Sequence, residues 1–352
     1  MRLLPLLLLA AACPDPVPVD SGSDDTDIVD TDTDTDTDTD SDSDSDTDTD
    51  TDTDTDTEDP GPPPYRFVAL GDGGEGNPAQ YAVADAVKTI CDRDGCDAAL
   101  YLGDNFYDDG VDGLDDPQWQ DKFELPYEDL DFLFYVVLGN HDNGGFGGAG
   151  FEFWRGDIQV DYSLSGRSDK FTMPARYYSV SPSERDVILL GLDSNAMMFD
   201  VDLDKQGAWL DAELARTTRP VSIAFGHHPY ISNGKHGNAG KYEGISGLPI
   251  VSGKTVKEFM DDHVCGKVDI YISGHDHNLQ WLGEGEDCET EFLVSGAAAK
   301  TTDLEGRGNL TFFETDASEG FLWMEVSADK ALGRFYDRDG KLLFEHTLKL
   351  GR

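Results

Sequence analysis

The chain has 352 residues, 72 of them acidic and 26 basic, for a formal net charge of −46; residues 20–59 hold 20 acids and no base, and the 293 residues from Pro60 onward still set 51 acids against 25 bases. Both segments are therefore acidic, which excludes nucleic acid held on a broad basic surface and argues against direct adsorption to anionic membrane, since phosphates and headgroups are bound by clustered Lys and Arg. Hydrophobic residues at 38% and aromatics at 10%, diluted by the acidic tract, leave enough apolar material after it for a sizeable core.

Residues 1–13 carry one positive charge, a short leucine-rich run, three alanines and then Cys13. They are expected to act as an export signal; the run is much shorter than the ~20 apolar residues of a spanning helix. Small residues directly before Cys13 resemble the lipobox of bacterial lipoproteins, with Ala10 where leucine is usual. The expectation is lipidation at Cys13 and attachment to the bacterial cell envelope through that lipid alone. Cleavage near the alanines, giving a secreted protein, is the alternative. Residues 14–64 come next as a linker built largely of Thr-Asp and Ser-Asp dipeptides and closed by a proline-rich stretch. Like charges at every second position predict an extended, disordered spacer reaching about 130 Å for forty residues at ~3.3 Å each. Weak calcium capture or glycosylation of the hydroxyls is the functional alternative.

From Tyr65 the pattern changes. Residues 67–70, 98–102, 132–138, 187–192, 221–225 and 268–272 read as buried strands, and 78–90, 117–130, 205–216 and 255–263 as helices, so α/β layering is expected. After Phe292 the chain turns mostly to strand, with a hairpin around Arg338-Asp339-Gly340, and suggests a second sheet. Cys91, Cys96, Cys265 and Cys288 form an even set in an exported chain, so two disulfides are expected. Of three connectivities, Cys91 to Cys96 and Cys265 to Cys288 is favoured, because each pair is close in sequence and neither lies within a ligand motif.

The chemistry lies in the polar clusters at the strand ends: Gly71-Asp72-Gly73-Gly74, Gly103-Asp104-Asn105-Phe106-Tyr107, Gly139-Asn140-His141-Asp142, Gly226-His227-His228-Pro229 and Gly274-His275-Asp276-His277. Ligands of open α/β sheets bind beyond the carboxyl ends of strands, so the five clusters can converge on one crevice. Carboxylates and an amide oxygen mixed with imidazoles suit Fe, Zn or Mn, and one carboxylate can bridge two ions. Six of the eight histidines fall in or just after these clusters; His263 and His346 do not.

These five blocks, with the run from Gly103 to Val111 and the block from Gly274 to Gln280, resemble the calcineurin-like metallophosphoesterases. Within them they resemble the purple acid phosphatases of the small tartrate-resistant type. The resemblance implies a four-layer α-β-β-α sandwich of two mixed sheets over residues 65–352. Gly74 stands where other metallophosphoesterases have a histidine, and Tyr107 stands where purple phosphatases place a phenolate. Carried over by residue, the resemblance assigns Asp72, Asp104, Tyr107 and His277 to a first metal, Fe(III), and Asp104, Asn140, His227 and His275 to a second, Fe(II), Zn or Mn. His228 departs from the family, which often has tyrosine there; packing or a solvent-facing position is favoured over contact with substrate.

The implied reaction is hydrolysis of a small phosphomonoester by a metal-activated hydroxide. His141 or His236 would stabilise the phosphoryl oxygens or protonate the leaving group. Asp142 and Asp276 would either fix imidazole tautomers or cap turns. Residues 143–178 are expected to include a loop over the site, made mobile by the glycines from Gly144 to Gly150, and the protein is expected to be a monomer. A metal-dependent phosphodiesterase and a non-catalytic, surface-anchored metal-binding module are the alternatives.

Overall fold

The computed structural model describes residues 61–246, 248–285 and 288–351. The expected export signal, Cys13 and the acidic tract up to residue 60 lie outside the described residues. Among the described residues no helix is long and apolar enough to cross a membrane.

Fourteen strands run in chain order within the described residues: β1 (Tyr65–Leu70), β2 (Ala98–Tyr101), β3 (Leu133–Val136), β4 (Phe171–Thr172), β5 (Tyr178–Val180), β6 (Val187–Gly191), β7 (Val221–Phe225), β8 (Ile270–Ser273), β9 (Leu279–Gly285), β10 (Cys288–Ser295), β11 (Phe313–Thr315), β12 (Gly320–Ser327), β13 (Lys330–Asp337) and β14 (Leu342–Lys349). They form two seven-stranded sheets, ordered β14-β13-β12-β1-β2-β3-β4 and β11-β9-β10-β8-β7-β6-β5. Each is mixed: β1 to β4 run parallel with β12 antiparallel to β1, and β6, β7, β8 and β10 run parallel with antiparallel strands outside them. All six strands expected from the sequence are present.

Side chains that alternate along the central strands show the layering. Val187, Leu189, Ile223, Ile270 and Ile272 join Phe67, Leu100 and Leu322 of the first sheet in one core cluster. Ile188, Leu190, Ala224 and Tyr271 point the other way, onto Leu210, Val256, Phe259 and Met260 of the outer helices. A period of two thus puts apolar residues on both faces, which is why these strands read as continuous apolar runs. On the outer side of the first sheet lies helix Pro78–Asp94, capped by the Asn77 side chain, which accepts the Gln80 N–H at 2.9 Å, and ended at Gly95.

Two expectations need correction. The helix expected over 117–130 reduces to a π-turn, Gln120–Glu124, closed by Leu125 N–H on the Gln120 carbonyl at 3.0 Å. Pro126 has no N–H to continue it, and Trp119, Phe123 and Tyr127 are drawn into an aromatic cluster, where Trp119 stacks on Tyr162 at 3.5 Å between centroids. The strands after Phe292 do not make a sheet of their own. β12 to β14 extend the first sheet past β1, whose second edge is free to pair, while β10 and β11 belong to the second.

Both favoured disulfides are formed: Cys91–Cys96 ties the end of helix Pro78–Asp94 to the turn before β2, and Cys265–Cys288 joins the segment before β8 to β10. The second closes a loop of 23 residues. Replacing Cys265 and Cys288 together by Ser is expected to cost about 3 kcal/mol, measured as a lowered urea midpoint with a slope that holds or steepens as the unfolded chain expands.

Candidate metal centre

The five clusters stand after β1, β2, β3, β7 and β8 at their carboxyl ends, where the two sheets face one crevice. Backbone bonds join the first two: Asp72 N–H donates to Gly103 O at 3.0 Å, Gly74 N–H to Asp104 O at 3.1 Å and Tyr107 N–H to Gly74 O at 3.0 Å. A Cβ on Gly74 would fall 2.1 Å from the Asn105 carbonyl. The space a histidine would need there is filled by the backbone that carries Tyr107 inward. Asp72, Asp104 and His275 hold left-handed backbone, with φ of 60°, 53° and 69°, a strain typical of sites whose surroundings over-determine them.

Tyr107 Oη lies 3.0 Å from Asp72 Oδ1, 2.9 Å from Asp104 Oδ2 and 3.2 Å from His277 Nε2. The phenol oxygen thus stands among two carboxylates and an imidazole nitrogen, and His277 Nε2 is also 3.3 Å from Asp72 Oδ1. A second convergence surrounds His227. Its Nδ1 donates to the Leu102 carbonyl at 2.9 Å, so Nε2 is the nitrogen turned into the site, a lone pair when the ring is neutral and a donor when it is protonated. That nitrogen meets Asn140 Oδ1 at 3.0 Å, His275 Nδ1 at 3.0 Å and Asp104 Oδ2 at 3.4 Å. The Asn140 amide nitrogen donates to Gly148 O at 2.7 Å, so its oxygen is the atom turned inward.

The structure therefore brings together all seven side chains assigned as ligands. Two triads, Asp72, Asp104 and His277, and Asp104, His227 and His275, each have ligand atoms within 4.8 Å of one another, and Asp104 belongs to both. Carboxylates, a phenol, an amide oxygen and imidazoles are a donor set for hard or borderline ions, and with Asp104 shared between the triads the residues fit a dinuclear centre. Without cations, burial and then the Asp104 and Asp72 charges drive the Tyr107 phenol well above its ordinary value. Burial would raise Asp104 as well, but His227 and His141 hold it well below the usual carboxylate range. Burial opposes charge on His227, yet Asp104 takes it up to about 9. A bound cation inverts this logic by favouring the deprotonated donors.

The surrounding residues fix the donors. Asp142 accepts the N–H groups of Asn105, Phe106 and Gly139 and the Gln159 amide, and Asp276 accepts Ser232, His236 N–H and Gly237 N–H. Neither carboxylate touches an imidazole, so of the two roles expected they hold turns. His141 donates its N–H to Asp104 Oδ1 at 2.9 Å and its Nδ1 proton to the Asp108 carbonyl at 2.6 Å, with its ring 4.3 Å from that of Tyr107. The His236 ring stacks on His275 at 4.0 Å, and its Nδ1 meets the Glu243 carboxylate. His228 is 2% exposed. Ser194 Oγ accepts the N–H groups of His227 and His228, so it donates to His228 Nδ1 at 2.9 Å.

Ser194, Glu243 and Lys300 were not found from the sequence. Ser194 had a signal, since Asp193-Ser194-Asn195 comes after β6 as the other clusters come after their strands. Lys300 Nζ sits 3.2 Å from the Tyr107 ring centroid and pairs with Glu75, a cation–π contact that no local motif announces.

Residues 65–279 match the family described as calcineurin-like phosphoesterase. The chain is 28% identical over 307 residues to purple acid phosphatase 7 of Arabidopsis thaliana, covering 80% of this chain and 85% of that protein. It is 27% identical over 323 residues to tartrate-resistant acid phosphatase type 5 of Sus scrofa, covering 80% and 86%. The structure of GAP50, the anchor in the inner membrane complex of Plasmodium, has a TM-score of 0.64 at 23% identity, covering 82% of this chain and 90% of that one; this is a likeness of fold.

The different settings of the two adjacent histidines give a direct expectation. His227→Ala should lower the metal bound per chain by about one equivalent, while His228→Ala, which removes a buried packing residue, should lower thermal stability and leave metal content unchanged. Elemental analysis of both variants checks this; equal metal loss would mean that the two positions are misassigned.

Proposed function

The chain belongs to the calcineurin-like phosphoesterase family, and on that premise we propose that residues 65–352 hydrolyse phosphomonoesters at a dinuclear centre, as purple acid phosphatases do. In this reading Asp72, Asp104, Tyr107 and His277 hold Fe(III), and Asp104, Asn140, His227 and His275 hold Fe(II), Zn or Mn. The observation that carries it is the pairing of Gly74 with Tyr107: the backbone of Asn105 excludes a side chain at 74, and the phenol oxygen occupies the position among Asp72, Asp104 and His277. A phenolate is a hard, anionic donor suited to a trivalent ion.

Metal ions held there supply Lewis acidity and an acidified water as nucleophile, against a very slow uncatalysed reaction. The chain's own groups do the rest. His141 and His236 stand beside the two positions, His141 against Tyr107 and His236 against His275. Each has its Nδ1 engaged, by the Asp108 carbonyl and the Glu243 carboxylate, which orients the ring and leaves Nε2 for substrate. Two imidazoles are suited to bind phosphoryl oxygens and to pass a proton to the leaving oxygen. Asp142 and Asp276 hold the loops that carry them.

Two disulfides among the described residues agree with an oxidising compartment. They support the reading that the chain is exported; we further propose that it is anchored by lipid at Cys13 with the acidic tract as spacer and acts as a monomer.

A phenolate bound to Fe(III) absorbs visible light by charge transfer, so the oxidised, iron-loaded protein should be pink to purple. Tyr107→Phe keeps the ring and removes the oxygen; it should abolish the band and weaken iron retention. The same preparation should turn over phosphomonoesters faster than diesters. A colourless iron-loaded wild type, or an unchanged band in Tyr107→Phe, would overturn the first-site assignment, and faster diester hydrolysis would favour a phosphodiesterase.

A further inference from the structure

Five consecutive residues, 144–148, have positive φ, and four of them are glycine; the fifth is Phe146, at φ 50°. Left-handed backbone is costly for a bulky aromatic residue. The cost is not offset by packing, because Phe146 is 95% exposed, with the Phe151 ring beside it at 5.7 Å, itself 44% exposed. A glycine at 146 would relieve the strain and remove the exposed ring at once, so fold stability does not explain the phenylalanine.

The loop is firmly built. Asp109 Oδ1 accepts the N–H groups of Gly147 and Gly148 at 2.8 and 3.1 Å, Ala149 N–H donates to Gly145 O at 2.7 Å, and Asn195 donates its amide to Gly150 O at 2.8 Å. The mobility expected from its glycines is therefore not needed to explain them; they allow close approach. A Cβ on Gly148 would fall 2.4 Å from the His141 ring, and one on Gly145 would fall 2.7 Å from the Phe151 ring. Gly148 O also accepts the Asn140 amide at 2.7 Å. Phe146 is two residues from Gly148, at most ~7 Å of chain, so it stands on the loop that packs against His141.

We propose that Phe146, with Phe151, is a stacking platform that selects phosphomonoesters carrying a flat aromatic group close to the ester oxygen. The inference rests on the phosphomonoesterase reading. With the phosphoryl group at the metal positions, an organic part that leaves the crevice on the His141 side meets the loop that carries these exposed rings. Asp109 beside the loop, with Asp112 and Glu152 together outnumbering the one Arg155 that pairs with both, disfavours a second anionic group or an anionic lipid there, whereas a neutral or cationic aromatic group gains stacking area without charge conflict.

The test compares benzyl phosphate with cyclohexylmethyl phosphate, whose leaving alcohols are alike and whose rings differ in flatness and π-character. Wild type should show a benzyl preference in kcat/KM of about tenfold, the scale of one aromatic contact. In Phe146→Gly that ratio should fall to about one while the melting temperature holds or rises. A wild-type ratio near one, or a preference retained in Phe146→Gly, overturns the platform. If wild type hydrolyses neither ester, the phosphomonoesterase reading fails, and calorimetry with benzylphosphonate and cyclohexylmethylphosphonate decides the platform separately. Tighter binding of the benzyl compound that is lost in Phe146→Gly upholds it, and equal binding overturns it. Sedimentation closes the remaining route: a wild-type dimer that Phe146→Gly dissociates would mean that the ring is covered by a second copy of the chain, against the proposal.

Discussion

A carboxylate with almost no exposed surface, facing a phenol on one oxygen and an imidazole nearby, has to be balanced by positive charge. Asp104 is in that position, and the fold around it is arranged to keep it there. It sits where β2 ends, in a left-handed conformation, with Gly139 so close that a Cβ would fall 2.2 Å from Asp104 Oδ1. The His227 ring is fixed by the same constraint: Leu102, two residues before Asp104, accepts its Nδ1–H and turns Nε2 toward Asn140, His275 and Asp104. Without cations a proton on His227 balances Asp104; cations held by these residues would supply that charge instead.

The sandwich makes this arrangement affordable. Ligands come from the ends of five strands in two sheets, and those strands are fixed by an apolar core shared between the sheets, so loops with strained residues can be held without regular structure of their own. Asp142 is the clearest device. By accepting N–H groups from both the β2 and the β3 loops it fastens Tyr107 and Asn140 in one frame. Burial and then the Asp104 charge push its carboxyl up to about 7, while the Gly139 N–H and the Gln159 amide pull it back toward the ionised form. With its oxygens taken up by these donors, it orders the loops without taking part in the metal cluster.

Much of this was legible in the sequence, for reasons visible in particular residues. Central strands such as Val221–Phe225 are buried on both faces and read as apolar runs, and ligand side chains must come directly after strand ends, so spacing to the preceding strand exposed them. His263 and His346, outside the clusters, pair with Asp211 and pack on Phe312. The features that escaped were non-local. Apolar spacing over 117–130 gave a helix, but it reports only that Trp119, Phe123 and Tyr127 face inward, and Pro126 breaks the ladder. No local pattern states that β12 pairs with β1, more than 240 residues earlier. The partners of His228 and His236, Ser194 and Glu243, are ordinary residues whose roles come only from proximity.

The sharing of Asp104 is tested most directly by counting metal in one variant. Wild type loaded with iron and zinc should hold two equivalents per chain by elemental analysis. Asp104→Ala, with native fold verified by circular dichroism, should hold close to none, because both positions lose a ligand and the charge that attracts the ions. A folded Asp104→Ala protein that keeps one tightly bound equivalent would contradict the account, showing that the two positions are built independently.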